Sequence, residues 1–231
     1  MSSIRQQNRH ERWDLDVDPP QRKPLLRGWS HAIGAVIAVV AVAALLIHVG
    51  NPLKRIPLMV YGIALVLLLS VSAMYHIGDW PTRIRRVLQR FDHSNIFLFI
   101  AATYTPVAVV LLHGGIQLGV IIGAWTCAAA GIATTQLSIR APRWVTALLY
   151  ILMGWGAVII LPNLLVVGMP LVLVLIGGVL YSLGAVAYAT KRPRLWPRVF
   201  GYHEVFHLAV LAASVLFYLF MVVVIVPYPM H

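Results

Sequence analysis

A chain of 231 residues that is 60% hydrophobic and only 11% charged is not a soluble globular domain, in which about a quarter of the residues carry charge. Its formal net charge of +11 does not point to nucleic acid, because the basic residues sit in short stretches between apolar runs, as topogenic charges beside anionic lipid do. With a mean hydropathy of +0.84, the composition is that of an integral membrane protein whose implied partners are membrane lipids.

Residues 1–27 read as a mobile, polar cytoplasmic tail of mixed charge, interrupted by Asp14, Asp16, Asp18, Pro19 and Pro20. No apolar stretch of a cleavable signal peptide precedes Trp29. Residues 28–231 then form one membrane domain without an internal repeat. Seven apolar segments lie near 29–49, 57–77, 93–112, 116–136, 144–161, 165–189 and 203–226, each close to the ~20 residues a helix needs to cross a bilayer. An open strand in lipid leaves backbone groups unsatisfied, so the fold class is all-α, a seven-transmembrane helix bundle. The joint between the fifth and sixth segments, near Pro162-Asn163, is tight enough for the two to form one interrupted pair. The lone Cys127 lies in an apolar run and has no partner for an intrachain disulfide.

Orientation follows from Lys and Arg in alternate connections. The amino-terminal tail and the second, fourth and sixth connections together hold sixteen; the other side holds two, Lys54 and Arg55. The positive-inside rule puts the amino terminus in the cytoplasm and the carboxyl terminus outside. The expected location is a cell membrane crossed several times, the inner (plasma) membrane of a bacterium.

This topology carries ligand-type side chains to one depth. His203 and His207 are four residues apart and project from one helix face. The second helix ends inside at His76, with Ser72 one turn deeper, and the third begins inside at Asp92 and His93. Catalytic zinc is typically held by three protein ligands with a fourth position left for water, whose pKa the ion lowers from 15.7 to about 7. His76, His203 and His207 are the candidate Zn2+ ligands. Asp92 and Ser72 are the candidate catalytic residues, the first to orient that water or take its proton, the second to hydrogen-bond it or a developing oxyanion. Arg83, Arg85 and Arg86 can meet lipid phosphates.

Each residue alone has a plainer role. His203 and His207 can reach headgroups, His76 can suit the carboxyl end of a helix dipole, and Ser72 can pack between helices. Asp92 can cap the third helix at its start. His31 can support the metal ligands from behind or, as the preferred reading, lie at the interface, and His93 projects about 100° from Asp92. His203-Glu204-Val205-Phe206-His207 also fits the His-Glu-x-x-His pattern of zinc proteases, in which Glu is the general base.

Three motifs together carry a family resemblance: Ser72-Ala73-Met74-Tyr75-His76, then Phe91-Asp92-His93-Ser94 with Thr103-Tyr104-Thr105-Pro106, then Gly201-Tyr202-His203-Glu204-Val205-Phe206-His207. The chain resembles, over roughly residues 28–226, the hemolysin III branch of the progestin and adiponectin receptor (PAQR) family. The resemblance implies a seven-helix bundle with zinc near the cytoplasmic surface, held by His76, His203 and His207, with Asp92 and Ser72 near the bound water. It also implies kinship with membrane hydrolases that include alkaline ceramidases. Two departures stand out. Branch members commonly carry Glu and Asn before the helix 1 histidine, where this chain runs Leu25-Leu26-Arg27-Gly28-Trp29-Ser30-His31; the eukaryotic receptors have Gln in place of Glu204. The expected function is metal-dependent hydrolysis of a lipid amide or ester at the inner leaflet. The alternatives are a pore-forming, cytolytic protein and a receptor-like regulator of membrane lipid state.

Overall fold

A computed structural model of the chain describes residues 28–137, 142–193, 195–196 and 199–230. The tail expected at 1–27 lies outside the described residues, as do Arg140, Arg194 and Arg198. Among the described residues, seven helices are long and apolar enough to cross a membrane: α1 (Trp29–His48), α2 (Pro52–Ile77), α3 (Thr82–Leu111), α4 (Gly114–Leu137), α5 (Arg143–Val167), α6 (Leu171–Thr190) and α7 (Tyr202–Ile225). Consecutive helices pack side by side, and α7 closes back onto α1. An isolated bridge between Trp196 and Phe200 is the only strand-like pairing among the described residues. The protein is a multi-pass membrane protein. Large apolar side chains such as Ile47, Ile159 and Met169 cover its outside, as contact with lipid tails requires.

Several helix limits differ from the sequence expectation. α2 starts at Pro52, not near 57, because Asn51 accepts a hydrogen bond from the Leu53 N–H at 2.9 Å and Pro52 fits the first helical position. Lys54 is therefore no loop charge. It is buried within α2, and its ammonium donates to the carbonyls of Ile225 (3.0 Å), Val226 (2.8 Å) and Tyr228 at the far end of α7. Three N–H donors meet three acceptors, so the buried charge is saturated.

The largest shift is in α3, which begins at Thr82, eleven residues before the apolar run. Ile84, Val87, Leu88 and Phe91 recur at helical spacing among the arginines, so this extension is amphipathic where the hydrocarbon-length window stopped. Asp92 lies mid-helix and does not cap its start.

The joint expected at Pro162-Asn163 lies instead at Gly168, whose φ of 65° turns the chain into α6. Before it, α5 is irregular: an α-helix to Trp155, a 3-10 stretch over Gly156–Ile160, one α turn, and a second 3-10 turn over Leu165–Val167. The Tyr104 hydroxyl of α3 lies 3.0 Å from both the Met153 and Gly154 carbonyls, supplying a donor where the change of winding frees acceptors.

The apolar core lies between α1, α2, α3 and α7, around Leu45, Leu58, Tyr61, Phe99, Phe220 and Ile225. Toward the opposite end the same helix faces turn polar. On α1 the buried stripe reads His31, Ala35, Ala38, Val42, Leu45; on α2 it ends in Leu65, Leu68, Ser72, His76. Both follow the 3–4 residue spacing of one helix face.

Candidate metal centre and cavity

Two local features bring α1, α2 and α7 together at the polar end. Gly28 adopts φ 87°, a conformation L side chains rarely take, and a Cβ there would lie 2.9 Å from the Cβ of His76. That contact seats the start of α1 on the last turn of α2. On α7, the Gly201 N–H donates to the Glu204 carboxylate at 2.8 Å, satisfying one of the free donors of the first turn. Glu204 is buried in that cap. Its carboxylate is thereby engaged as a capping group at the start of α7.

His76, His203 and His207 each offer one ligand atom, and these atoms all lie within 4.8 Å of one another. The Nε2 atoms of His76 and His203 are 3.1 Å apart. Ring centroids are 4.6 Å apart for His76–His203, 4.9 Å for His76–His207 and 4.6 Å for His203–His207. His76 and His207 are 8% and 2% exposed, so this is no set of surface imidazoles reaching for headgroups. The donor set fits a cation that prefers imidazole. Asp92 approaches from α3, with Oδ2 3.7 Å from His76 Nε2. The buried Ser72 hydroxyl lies against the Asp92 carboxyl. Four sequence-distant pieces of chain thus meet at one end of the bundle.

A sixth side chain is His31, for which the sequence suggested an interfacial position ahead of one behind the metal ligands. It is only 2% exposed. Its ring stacks on that of His207 with centroids 3.9 Å apart and planes 7° from parallel. His31 Nε2–H donates to the His207 backbone carbonyl at 3.3 Å. The other ring nitrogen, Nδ1, is buried without a hydrogen-bond partner. One side chain therefore holds both the ring plane and the backbone of a candidate ligand. The signal was present in the sequence: His31 begins the same stripe as Ala35, Ala38, Val42 and Leu45.

The cluster borders a cavity of about 800 Å³, walled mainly by α3, α5, α6 and α7. His31, Ser72, Asp92 and His203 line its polar end, and residues such as Phe99, Val107, Leu164, Val174 and Phe220 line the remainder. Along α3 the lining runs from Arg86 to Val107, about 30 Å at 1.5 Å per residue, comparable with the hydrocarbon thickness of a bilayer. His93, a lesser candidate in the sequence because it projects away from Asp92, lines the cavity and accepts a 2.9 Å hydrogen bond from Tyr150 at its backbone carbonyl.

Fold and site together define a seven-helix membrane protein with a buried histidine cluster able to hold a metal ion, opening onto a mostly apolar cavity. The chain belongs to the haemolysin-III-related family, whose family model matches residues 21–218. It is 30% identical to Hemolysin-3 of Bacillus cereus over 203 residues, covering 86% of this chain and 90% of the relative. It is 26% identical to a Hemolysin-3 homolog of Bacillus subtilis over 190 residues, 80% of this chain and 86% of the relative. Similarity extends to the human Monocyte to macrophage differentiation factor, 29% identical over 198 residues, 82% and 79% of the two chains.

Proposed function

We propose that this protein is a zinc-dependent hydrolase that cleaves an amide or ester bond of a membrane lipid at the inner leaflet, with its amino terminus in the cytoplasm. The observation that carries the reading is three convergent imidazoles beside a carboxyl, at the polar end of an apolar cavity. His76, His203 and His207 would hold the ion. Two nitrogens at 2.0–2.1 Å from one tetrahedral centre lie about 3.3 Å apart, and the His76 and His203 Nε2 atoms are separated by 3.1 Å. When bound, zinc polarises a carbonyl and makes water acidic enough to attack at neutral pH.

The protein's own groups supply the rest. Asp92 would take the proton from the attacking water and return it to the departing nitrogen or oxygen, as general base and then general acid. Ser72 would orient that carboxyl, and His31 would keep His207 from rotating. The apolar length of the cavity suits an acyl chain and would keep bulk water from the reacting end. That lining also weighs against a water-filled pore, in spite of the bacterial relatives' name.

The test is metal analysis of purified protein, with free fatty acid read by mass spectrometry after reconstitution with amide- and ester-linked lipids. About one zinc per chain is expected, lost together with product release in His207→Ala. Zinc that survives that change, or dye leakage from liposomes that persists in it while no lipid is cleaved, would overturn the assignment.

A further inference from the structure

The cavity is chemically different at its two ends. From Ile96 onward its α3 wall is largely apolar, whereas the polar end is lined by Arg86 and Arg90 of α3 and Arg143 of α5. Arg86 and Arg90 are one helical turn apart, on the face of α3 that continues through His93 and Ile96 into the cavity. Arg143 is held on a second helix of the lining. Its guanidinium lies 5.4 Å from the centre of the Tyr188 ring, and NH1 donates to the Tyr202 hydroxyl at 3.3 Å. Asp92, set against His76, is the one carboxylate among the described lining residues. Arg83 and Arg85, expected with Arg86 to meet phosphates, do not line the cavity.

We propose that Arg86, Arg90 and Arg143 form a receptor for the phosphate of a lipid with a net anionic headgroup, whose acyl chain occupies the apolar length beyond. A guanidinium fork matches two phosphate oxygens with parallel, charge-assisted hydrogen bonds, and arginines from two helices lining one cavity supply more than one such fork. A zwitterionic headgroup gains less, because its own cation is brought among three guanidinium groups. Inorganic phosphate satisfies the same rim but leaves the long apolar cavity unfilled, so the rim and the cavity together select a lipid. The proposal rests on reading the cavity as a lipid site, and it is independent of whether the lipid is cleaved.

The experiment measures binding to the full chain in uncharged detergent, using three probes: lysophosphatidylglycerol, lysophosphatidylcholine of the same acyl chain, and inorganic phosphate. The anionic lysolipid is expected to bind about tenfold more tightly than the zwitterionic one. The double variant Arg86→Gln/Arg90→Gln removes that preference, while Arg83→Gln/Arg85→Gln, which removes the same charge from the same helix, retains it. Equal binding of the two lysolipids overturns the proposal, as does a preference lost equally in both double variants, which is surface charge alone. Inorganic phosphate binding as tightly as the anionic lysolipid also overturns it, by making the rim an ion site. Should neither lysolipid bind, the lipid reading of the cavity falls too, whereas zinc content reports separately on the metal reading.

Discussion

The two ends of this bundle bury polar groups in opposite ways. Near the α1–α2 turn, Lys54 is 3% exposed, and its three donors meet three backbone carbonyls at the end of α7. At the other end, His31, Ser72, His76 and His207 are also buried, the ligand atoms of His76, His203 and His207 crowd together beside a carboxyl, and His31 Nδ1 has no hydrogen-bond partner. Burying a polar group without a partner costs stability, so a saturated site is what folding alone favours. The lysine is a structural tie between α2 and α7. The histidine end instead gathers three imidazoles within reach of one another beside a carboxyl, a donor set able to hold a metal ion.

Substitutions can separate these two kinds of burial. The largest effect is expected for Asp92→Asn, which keeps shape and hydrogen bonding but cannot take up a proton. Lipid cleavage should fall by about 10²–10⁴-fold with zinc content unchanged. Parallel loss of zinc would recast Asp92 as a ligand.

Next comes the opposite end. Lys54→Met leaves three carbonyls without their donor and should lower unfolding stability by about 3 kcal/mol, read by denaturation in detergent, with zinc binding retained. A zinc deficit there would show that the two ends are coupled through the axial position of α7.

His31→Ala removes the stack and the hydrogen bond that hold His207 and should weaken zinc affinity by about 10–100-fold, measured by competition with a chelator. His31→Phe keeps the stack alone and should recover part of that loss; equal loss in both variants would assign the effect to the hydrogen bond. The smallest effect is expected at Tyr104→Phe. Loss of its hydroxyl from the Met153 and Gly154 carbonyls should cost about 1 kcal/mol and leave both ends intact.

Much of this could be read from the residues in order. The seven crossings were legible because a bilayer imposes a length on every apolar helix. His203 and His207 were legible as a pair because four residues return a helix to the same face. Where α3 begins was not, since residues 82–92 carry four arginines and belong to a helix only by the spacing of Ile84, Val87, Leu88 and Phe91. Lys54 looked like a loop charge for a related reason: a lone cation gives no sign in the sequence that carbonyls some 170 residues away will receive it.

By itself, the sequence determined that the chain crosses a membrane seven times and carries imidazole and carboxyl groups to one end, because helical period and hydrocarbon thickness are local constraints. Only the tertiary structure decided which of those groups meet. It brought His31 onto His207, engaged Glu204 as a cap, buried Lys54 against α7, and put Arg86 and Arg90 on the cavity wall while leaving Arg83 and Arg85 off it. The reason is physical: the rotation of each helix about its own axis is set by packing against its neighbours, and no stretch of sequence contains its neighbours.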